Sequence, residues 1–165
     1  MITLITGVDK NFLIGNGIML PWPKLPADMA FFREKTLGKT VVMGAVTFES
    51  LGKALPGRKN IVLSLSPLKA SLDKTDITIH DSIAPVLELA KNEEVMIIGG
   101  RTIYREFIPY ADKIHVTFID GDFTGDVYFS MTTVDFSNWK KTEEIVREPD
   151  EKTPFKLTFT TFEKS

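Results

Sequence analysis

Asp28, Phe31 and Phe32 are the side chains whose types and spacing point most directly to chemistry. They lie in LPWPKLPADMAFF, residues 20–32, where a proline-rich loop leads into a predicted helix. Pro26 suits the first helical turn, and Asp28 falls in that turn, where free backbone amides favour a negative charge. Residues at i, i+3 and i+4 share one helix face, so the carboxylate should sit at the rim of an apolar surface. Such a surface could hold a flat, partly cationic heterocycle.

The same spacing also has a purely structural interpretation. Asp28 could simply complement the positive end of the helix, and Phe31 and Phe32 could be core residues. Spacing alone does not separate the two interpretations, so the rest of the chain has to decide.

Composition narrows the classes of ligand. The chain has 165 residues, 43% of them hydrophobic, and a net charge of -2, so it predicts one domain with a good core and a small-molecule ligand rather than nucleic acid or a membrane. It has no cysteine, and its only histidines, His80 and His115, are far apart in sequence. We therefore expect no metal site, and structural or surface roles for both histidines. The apolar start, residues 1–8, lacks a basic lead-in, which favours a cytoplasmic protein over a secreted one.

The elements that would position Asp28 alternate along the first two thirds of the chain. Apolar runs predict buried strands at 2–8, 40–44, 60–66, 77–79 and 95–99, and helices are predicted at 27–37, from 46 or 47, at 82–92 and after the glycines at 99 and 100. In the last third, residues 113–119, 139–146 and 155–162 alternate as antiparallel strands with one wet face. We predict an α/β fold in a single domain, 1–165, with a mostly parallel central sheet of about eight strands, helices on both faces and an antiparallel C-terminal hairpin.

Three features point to a ligand crevice in this fold. The loop over residues 9–23 is long enough to act as a lid or binding loop, with Trp22 anchored against the core or a ligand. The run VMIIGGRTIY has the order of a phosphate-facing strand, turn and helix, although a glycine pair is often only a tight turn. Ligands in parallel sheets bind at the carboxyl ends of the strands, which brings together Gly7, Gly44, Ser64 and Gly99.

The order of several short motifs resembles one family along the whole chain. The motifs are IG at 14–15, LPWPKLPAD, VVMG, TFES, LPGRKNIVLS, IIGG, IY, VT and GD at 125–126. Together they resemble dihydrofolate reductase of the bacterial type. The resemblance implies reduction of 7,8-dihydrofolate to tetrahydrofolate by hydride transfer from NADPH to C6, with protonation at N5.

The resemblance also implies roles for the residues on the substrate side. Asp28 matches the family's single pterin-pocket carboxylate, which bonds the 2-amino group and N3 and promotes N5 protonation. Thr117 matches the threonine that steadies this acid, and Trp22 the residue that holds an ordered water beside it; Leu20 completes the catalytic set. Arg58 matches the arginine that grips the glutamate carboxylate in a forked pair. The implied apolar walls are Ile5, Met29, Phe32, Leu51, Leu55 and Ile98.

On the cofactor side, the resemblance implies contacts with nicotinamide, ribose and pyrophosphate. The family usually joins the two glycines at 99 and 100 by a cis peptide. The implied cofactor residues are Thr6, Gly7, Ile14, Gly15, Leu20, Gly44, Thr47, Ser50, Leu63, Ser64, Gly99, Gly100, Arg101, Thr102, Ile103 and Tyr104.

The chain departs from the family where the 2'-phosphate of NADPH would bind. After Gly44 the family usually has an arginine and often a second basic residue, but this chain has Ala45 and Val46, and Leu65 replaces a commonly polar residue. Either Arg101, Lys59 or Lys69 supplies the missing positive charge for the 2'-phosphate, or the preference for NADPH over NADH is weakened. Burial should raise the pKa of Asp28 and the helix start should lower it, and the sequence does not decide which effect wins.

Two other functions are compatible with these residues. One is a related reductase of this architecture that acts on a pyrimidine intermediate of riboflavin synthesis, from which methotrexate binding would distinguish the chain. The other is a folate-binding protein with negligible turnover, which single-turnover hydride transfer would exclude. Expected partners are dihydrofolate and antifolates such as methotrexate or trimethoprim, and the family resemblance implies a monomer.

Overall fold

The computed structural model describes residues 1–17, 20–129 and 136–165 of the chain. Ile18 and Met19, which belong to the predicted binding loop, lie outside the described residues. The strands are β1 (Ile2–Val8), β2 (Leu13–Gly15), β3 (Thr40–Gly44), β4 (Lys59–Leu63), β5 (Ile77–His80), β6 (Val95–Gly99), β7 (Lys113–Ile119), β8 (Val127–Tyr128), β9 (Trp139–Arg147) and β10 (Leu157–Lys164). The α-helices are α1 (Pro26–Thr36), α2 (Ala45–Leu51), α3 (Ala84–Leu89) and α4 (Arg101–Phe107).

Eight strands form one sheet in the order β5-β4-β3-β6-β1-β7-β10-β9. All neighbours from β5 to β7 are parallel, whereas β10 is antiparallel to both β7 and β9. The predicted fold class, a mostly parallel sheet with an antiparallel C-terminal hairpin, is confirmed. The two remaining short strands, β2 and β8, pair with each other beside this sheet.

The alternation of side chains along the central strands gives each face of the sheet its own core. Leu4 and Val42 belong to one apolar cluster, which α3 and α4 join through Val86 and Phe107. Ile5, one residue further along β1, belongs to a second cluster with Val41, Met43 and Phe48 of α2, and Phe31 and Phe32 of α1 pack against it. Helices therefore cover both faces, as a parallel sheet requires.

Strand β7 is more deeply buried than its sequence pattern predicted. The prediction of a wet face was wrong, whereas the predicted antiparallel pairing holds on one side only, because β7 is antiparallel to β10 and parallel to β1. Ile114, His115, Val116 and Thr117 are all buried. The polar face points towards α1, where His115 contacts the edge of Phe31 and Thr117 hydrogen-bonds Asp28. The alternation of apolar and polar residues along β7 therefore marks two buried faces, one of which is polar.

Other boundaries differ by a few residues from the prediction. Strand β4 ends at Leu63 rather than at residue 66, since the hydroxyl of Ser64 donates a hydrogen bond to the carbonyl of Ser66 (2.5 Å) and turns the chain. Strand β9 lies at the edge of the sheet, and both of its faces are exposed along most of its length, rather than the single wet face predicted. Among the described residues, no helix has the length and apolar character needed to cross a membrane.

Candidate active site

A cleft of ≈ 1360 Å³ crosses the carboxyl ends of the parallel strands. A pocket for one drug-sized ligand measures roughly 300–1,000 Å³, so this cleft has room for two ligands side by side. The structure brings together all the site residues predicted from the sequence. Its lining includes Ile5, Thr6, Gly7, Ile14, Gly15, Leu20, Trp22, Asp28, Met29, Phe32, Gly44, Thr47, Ser50, Leu51, Leu55, Arg58, Leu63, Ser64, Ile98, Gly99, Gly100, Arg101, Thr102, Ile103, Tyr104 and Thr117.

The carboxyl group of Asp28 lies close to the backbone of β1. Asp28 stands in the first turn of α1, as predicted, and its Oδ2 would lie 3.8 Å from a Cβ built on Gly7. The same Cβ would lie 3.3 Å from Cζ2 of Trp22. Glycine at position 7 therefore lets the indole ring of Trp22 approach the strand closely, beside the acid.

Burial decides the protonation behaviour of Asp28. Desolvation raises the pKa of this carboxyl above its ordinary value of 3.8, and a hydrogen bond with the Thr117 side chain opposes the rise. The pKa of Asp28 is therefore raised, which is the direction expected from burial. A carboxyl with a raised pKa stays protonated to a higher pH and can serve as a source of protons.

Trp22 and Leu20 take different positions at the end of the binding loop. Trp22 is only 6% exposed and belongs to an apolar cluster with Leu25 and Ile119. Its ring meets the edge of Phe123 at a centroid distance of 5.8 Å. Trp22 is therefore anchored against the core while it also lines the cleft, whereas Leu20 is largely exposed at the cleft's rim.

Phe31 and Phe32 combine the two roles that the sequence left as alternatives. Phe31 stacks on Phe159 with centroids 4.5 Å apart, which makes it a core residue, and it also lines the cleft. Phe32 is partly buried against the cluster around Ile5 and lines the cleft as well. The apolar wall beside Asp28 is therefore continuous with the core and held rigidly by it.

Arg58 is held in place by two hydrogen bonds. Its Nε donates to the carbonyl of Pro56 (2.9 Å) and its Nη1 to the hydroxyl of Thr36 (3.1 Å). Partial burial and the nearby Arg33 lower its pKa, but a guanidinium stays charged at neutral pH. Arg33 itself lines the cleft and was not predicted. Its spacing of four residues from Met29 is the sequence signal that places both on one face of α1.

Glycines shape the opposite part of the cleft. The Gly99–Gly100 peptide is cis, as the family resemblance implied, and Gly99 has φ 126°, a backbone conformation that favours glycine. A Cβ on Gly44 would lie 3.0 Å from Cγ1 of Ile103, so glycine lets β3 and α4 pack closely. The hydroxyl of Tyr104 donates to the carbonyl of Ile5 (2.7 Å) and ties α4 to β1.

Comparison with known proteins decides the family. The family model described as dihydrofolate reductase matches residues 1–164. This chain belongs to the dihydrofolate reductase family. The dihydrofolate reductase of Bacillus subtilis (strain 168) is 39% identical over 165 residues, which are 99% of this chain and 95% of that protein. Dihydrofolate reductase type 3 of Salmonella typhimurium is 38% identical over 167 residues, covering 99% and 98% of the two chains.

A solved structure of the same family superposes over the whole chain. Dihydrofolate reductase from Enterococcus faecalis, complexed with NADP(H) and RAB-propyl, gives a TM-score of 0.91 at 32% identity and covers 100% of this chain and 96% of that one. The sequence-based identification as a bacterial-type dihydrofolate reductase, and as an enzyme, is confirmed by these matches.

The cations that were expected to replace the missing basic residues of this dihydrofolate reductase are mostly engaged elsewhere. Lys69 forms an ion pair with Glu49. Lys59 begins β4 and pairs with Thr40, at the opposite end of these strands from the cleft. Arg101 alone among the three candidates lines the cleft.

Several residues of the cleft were not identified from the sequence. Asp81 follows β5, a short strand whose neighbour is not evident from local pattern, and Val127 enters through β8. The positions of Asp81 and Val127 depend on which strands pair, and local sequence does not show that pairing. The only hint in the sequence that this part of the cleft differs from the family was the presence of Ala45 and Val46 at the phosphate pocket. The residues missed are Gly17, Ala30, Arg33, Ser66, Asp81, Ser82, Ile83, Glu106 and Val127.

Proposed function

We propose that this dihydrofolate reductase reduces 7,8-dihydrofolate to 5,6,7,8-tetrahydrofolate with NADPH. The observation that carries the proposal is the carboxyl group of Asp28, partly buried in the cleft beside an apolar wall, with a pKa raised by desolvation. The same cleft also has a region lined by Arg33 and Arg58, and this region suits a ligand that carries a carboxylate at its far end.

The substrate would lie along α1. The pterin ring sits against Ile5 and Phe32, with its 2-amino group and N3 hydrogen-bonded to Asp28. The aminobenzoyl group lies between Met29, Leu51, Leu55 and Ile98. The glutamate carboxylate is held by Arg58 in a forked pair, for which the bonds from Arg58 to Pro56 and Thr36 orient the guanidinium in advance.

Proton delivery to N5 is the task of this chain's own residues. Asp28 is the acid, and Thr117 limits the rise of its pKa through their hydrogen bond. Trp22, packed beside Gly7 and close to the acid, orients a water between Asp28 and N5 and excludes bulk solvent from this part of the cleft. Leu20 covers the reacting rings from the rim.

The glycine-lined half of the cleft fits the cofactor. Gly44, Gly99 and Gly100 line this half of the cleft, and Thr47, Ser50 and Thr102 supply hydroxyl groups for pyrophosphate and ribose oxygens. NADPH, when bound, supplies the hydride that goes to C6. NADH is also accepted in this proposal, because Ala45 and Val46 replace the basic residues that usually meet the 2'-phosphate.

Steady-state kinetics test this function directly. Purified protein should oxidise NADPH in the presence of dihydrofolate, with a 1:1 yield of tetrahydrofolate, and methotrexate should inhibit it. Binding of dihydrofolate and NADPH without hydride transfer in a single turnover would show instead a folate-binding protein. The family matches are to dihydrofolate reductases, which argues against the pyrimidine reductase alternative. Inhibition by trimethoprim, a monomeric state and a cytoplasmic location stay predictions.

A further inference from the structure

Three neighbouring strands end at the same level beside the cofactor half of the cleft. Gly44 of β3 pairs with Leu63 of β4, and Leu63 pairs with His80 of β5. The amide of Ser64 donates to the carbonyl of His80 (2.9 Å), so the register continues one residue further. Ala45, Ser64 and Asp81 therefore directly follow three adjacent strands, and all three line the cleft.

The chemistry of this surface is unfavourable for a phosphate dianion. Ala45 has no charge, and the side chains beside it are apolar and open to solvent, with Val46 59% and Leu65 91% exposed. The hydroxyl of Ser64 donates to the carbonyl of Ser66 (2.5 Å) rather than into the cleft. Asp81 adds a negative charge to the same surface.

None of the three candidate cations forms an ion pair with Asp81 in the part of the chain that the structure describes. Lys69 is paired with Glu49, and Lys59 stands at the other end of β4. Arg101 follows β6, which lies three strands from β5 in the sheet. At about 4.8 Å per strand, Arg101 and Asp81 start from backbone positions roughly 14 Å apart. Arg101 therefore begins on the side of the cleft that Gly99 and Gly100 line, three strands away from Asp81.

We propose that Asp81 is a residue that sets cofactor specificity, acting against the 2'-phosphate of NADPH and in favour of the 2'-hydroxyl of NADH. The inference rests on the proposed function of the cleft. The carboxylate repels the phosphate through the Coulomb interaction of like charges, and it accepts a hydrogen bond from the ribose hydroxyl. The enzyme then uses NADPH and NADH with similar efficiency, because the cation that would favour NADPH is absent at position 45.

The test compares kcat/KM for NADPH and for NADH in the native protein, Asp81→Asn, Asp81→Lys and a control, Glu148→Gln. Glu148 is an exposed carboxylate that does not line the cleft, so the control removes the same charge elsewhere. We expect the native ratio of NADPH to NADH efficiency to lie within about tenfold. Asp81→Asn should raise it roughly three- to tenfold, mainly through the KM for NADPH, and Asp81→Lys should raise it further. High salt should shrink the effect, and Glu148→Gln should not change the ratio.

Two results would overturn the inference. One is a native preference for NADPH of roughly a thousandfold or more, which would mean that other cations compensate. The other is an equal ratio in Asp81→Asn and the native protein. If no turnover occurs with either cofactor, the proposed function fails. The role of Asp81 is then still decided by fluorescence titration of NADPH and NADH binding with the same variants, in which the same change in relative affinity is expected.

Discussion

The side chain of Thr117 in β7 hydrogen-bonds the carboxyl group of Asp28 in α1, and this bond opposes the effect of burial on the pKa of Asp28. Thr117 is 2% exposed, so its hydroxyl is fixed by the packing of β7 between β1 and β10. The acid strength of Asp28 thus depends on a helix and a strand that are distant in sequence. Each partner can be altered separately, which makes the relationship measurable.

Thr117→Val should shift the pH dependence of hydride transfer to higher pH. The hydrogen bond from Thr117 lowers the pKa of Asp28, so its removal lets burial raise that pKa further. Thr117→Ser keeps a hydroxyl and should leave the profile nearly in place. Single-turnover rates between pH 5 and 9 measure the midpoint, and an identical midpoint in the valine and serine variants would contradict the assigned contact.

Arg58→Lys should weaken dihydrofolate binding while leaving kcat almost unchanged. A lysine cannot form the forked pair with a carboxylate, so KM should rise roughly tenfold or more. A dihydropterin substrate without the glutamate tail should show no such change. Arg147→Lys, an exposed arginine paired with Asp150, is the control. Equal KM increases for both substrates would place Arg58 in a structural role instead.

Asp126→Ala should slow the reaction by loosening the wall of the cleft formed by residues 15–17. The amide of Gly17 donates to Oδ1 of Asp126 (2.9 Å), and the amide of Asp126 donates to the carbonyl of Gly15 (3.1 Å). Loss of the side-chain bond costs about 1 kcal/mol, which lowers the ratio of ordered to open segment roughly fivefold. The hydride-transfer rate should fall by up to about that factor.

Asp122→Ala provides the matched control for this change. Asp122 lies in the same loop between β7 and β8, and among the described residues its side chain makes longer, exposed contacts with Lys10 (3.5 Å) and Asn11 (3.4 Å). Its replacement should leave hydride transfer within about twofold of the native rate, since exposed ion pairs contribute little. Equal decreases in the hydride-transfer rate of the two alanine variants would mean that the negative charge of this loop matters, rather than the bond from Gly17 to Asp126.

His115 should make the fold less stable at mildly acidic pH. Burial, with smaller contributions from Lys35 and Lys113, lowers its pKa from 6.5 to about 4, and its Nδ1 lies 2.8 Å from the hydroxyl of Thr161. In the unfolded chain the imidazole of His115 binds a proton below pH 6.5, whereas in the folded chain it stays neutral down to about pH 4. The contribution of His115 to the free energy of unfolding is therefore fully present above pH 6.5. It decreases by on the order of 3 kcal/mol as the pH falls from 6.5 to about 4.

Urea denaturation at pH 7 and pH 5 measures this contribution. His115→Gln should lose stability less steeply between the two pH values than the native protein does. His80→Gln alters the other histidine, at the end of edge strand β5, and should keep the native steepness. The same steepness in His115→Gln and the native protein would show that other groups cause the acid sensitivity.

Local rules accounted for much of the fold and for the centre of the candidate site. Pro26 and Asp28 follow the preferences of a first helical turn, and the glycines at the last positions of β3 and β6 mark the strand ends. The family motifs then placed residues such as Arg58 and Thr117 in one cleft, and the structure agrees. These features were predictable because each depends on a few consecutive residues or on a conserved order of motifs within the family resemblance.

Features that depend on strand register were not predictable from the sequence. Asp81 reaches the cleft only because Leu63 pairs with His80, and the contact of Gly17 with Asp126 requires β2 and β8 to meet. The polar face of β7 was assigned to water because hydrophobic alternation does not distinguish solvent from a buried polar surface. The balance between burial and the helix start at Asp28 likewise needed the packed structure.

The rate of hydride transfer in Asp28→Asn, measured against pH with NADPH and dihydrofolate, tests the central claim most directly. A carboxamide cannot deliver a proton, so the rate at pH 7 should fall roughly 10²–10⁴-fold and recover in part as the pH is lowered. The raised pKa of Asp28 means that the fold loses stability as the carboxyl ionises with rising pH, so Asp28→Asn should melt at an equal or higher temperature at pH 7. A native rate at pH 7 in the folded variant would contradict the role of Asp28 as the acid.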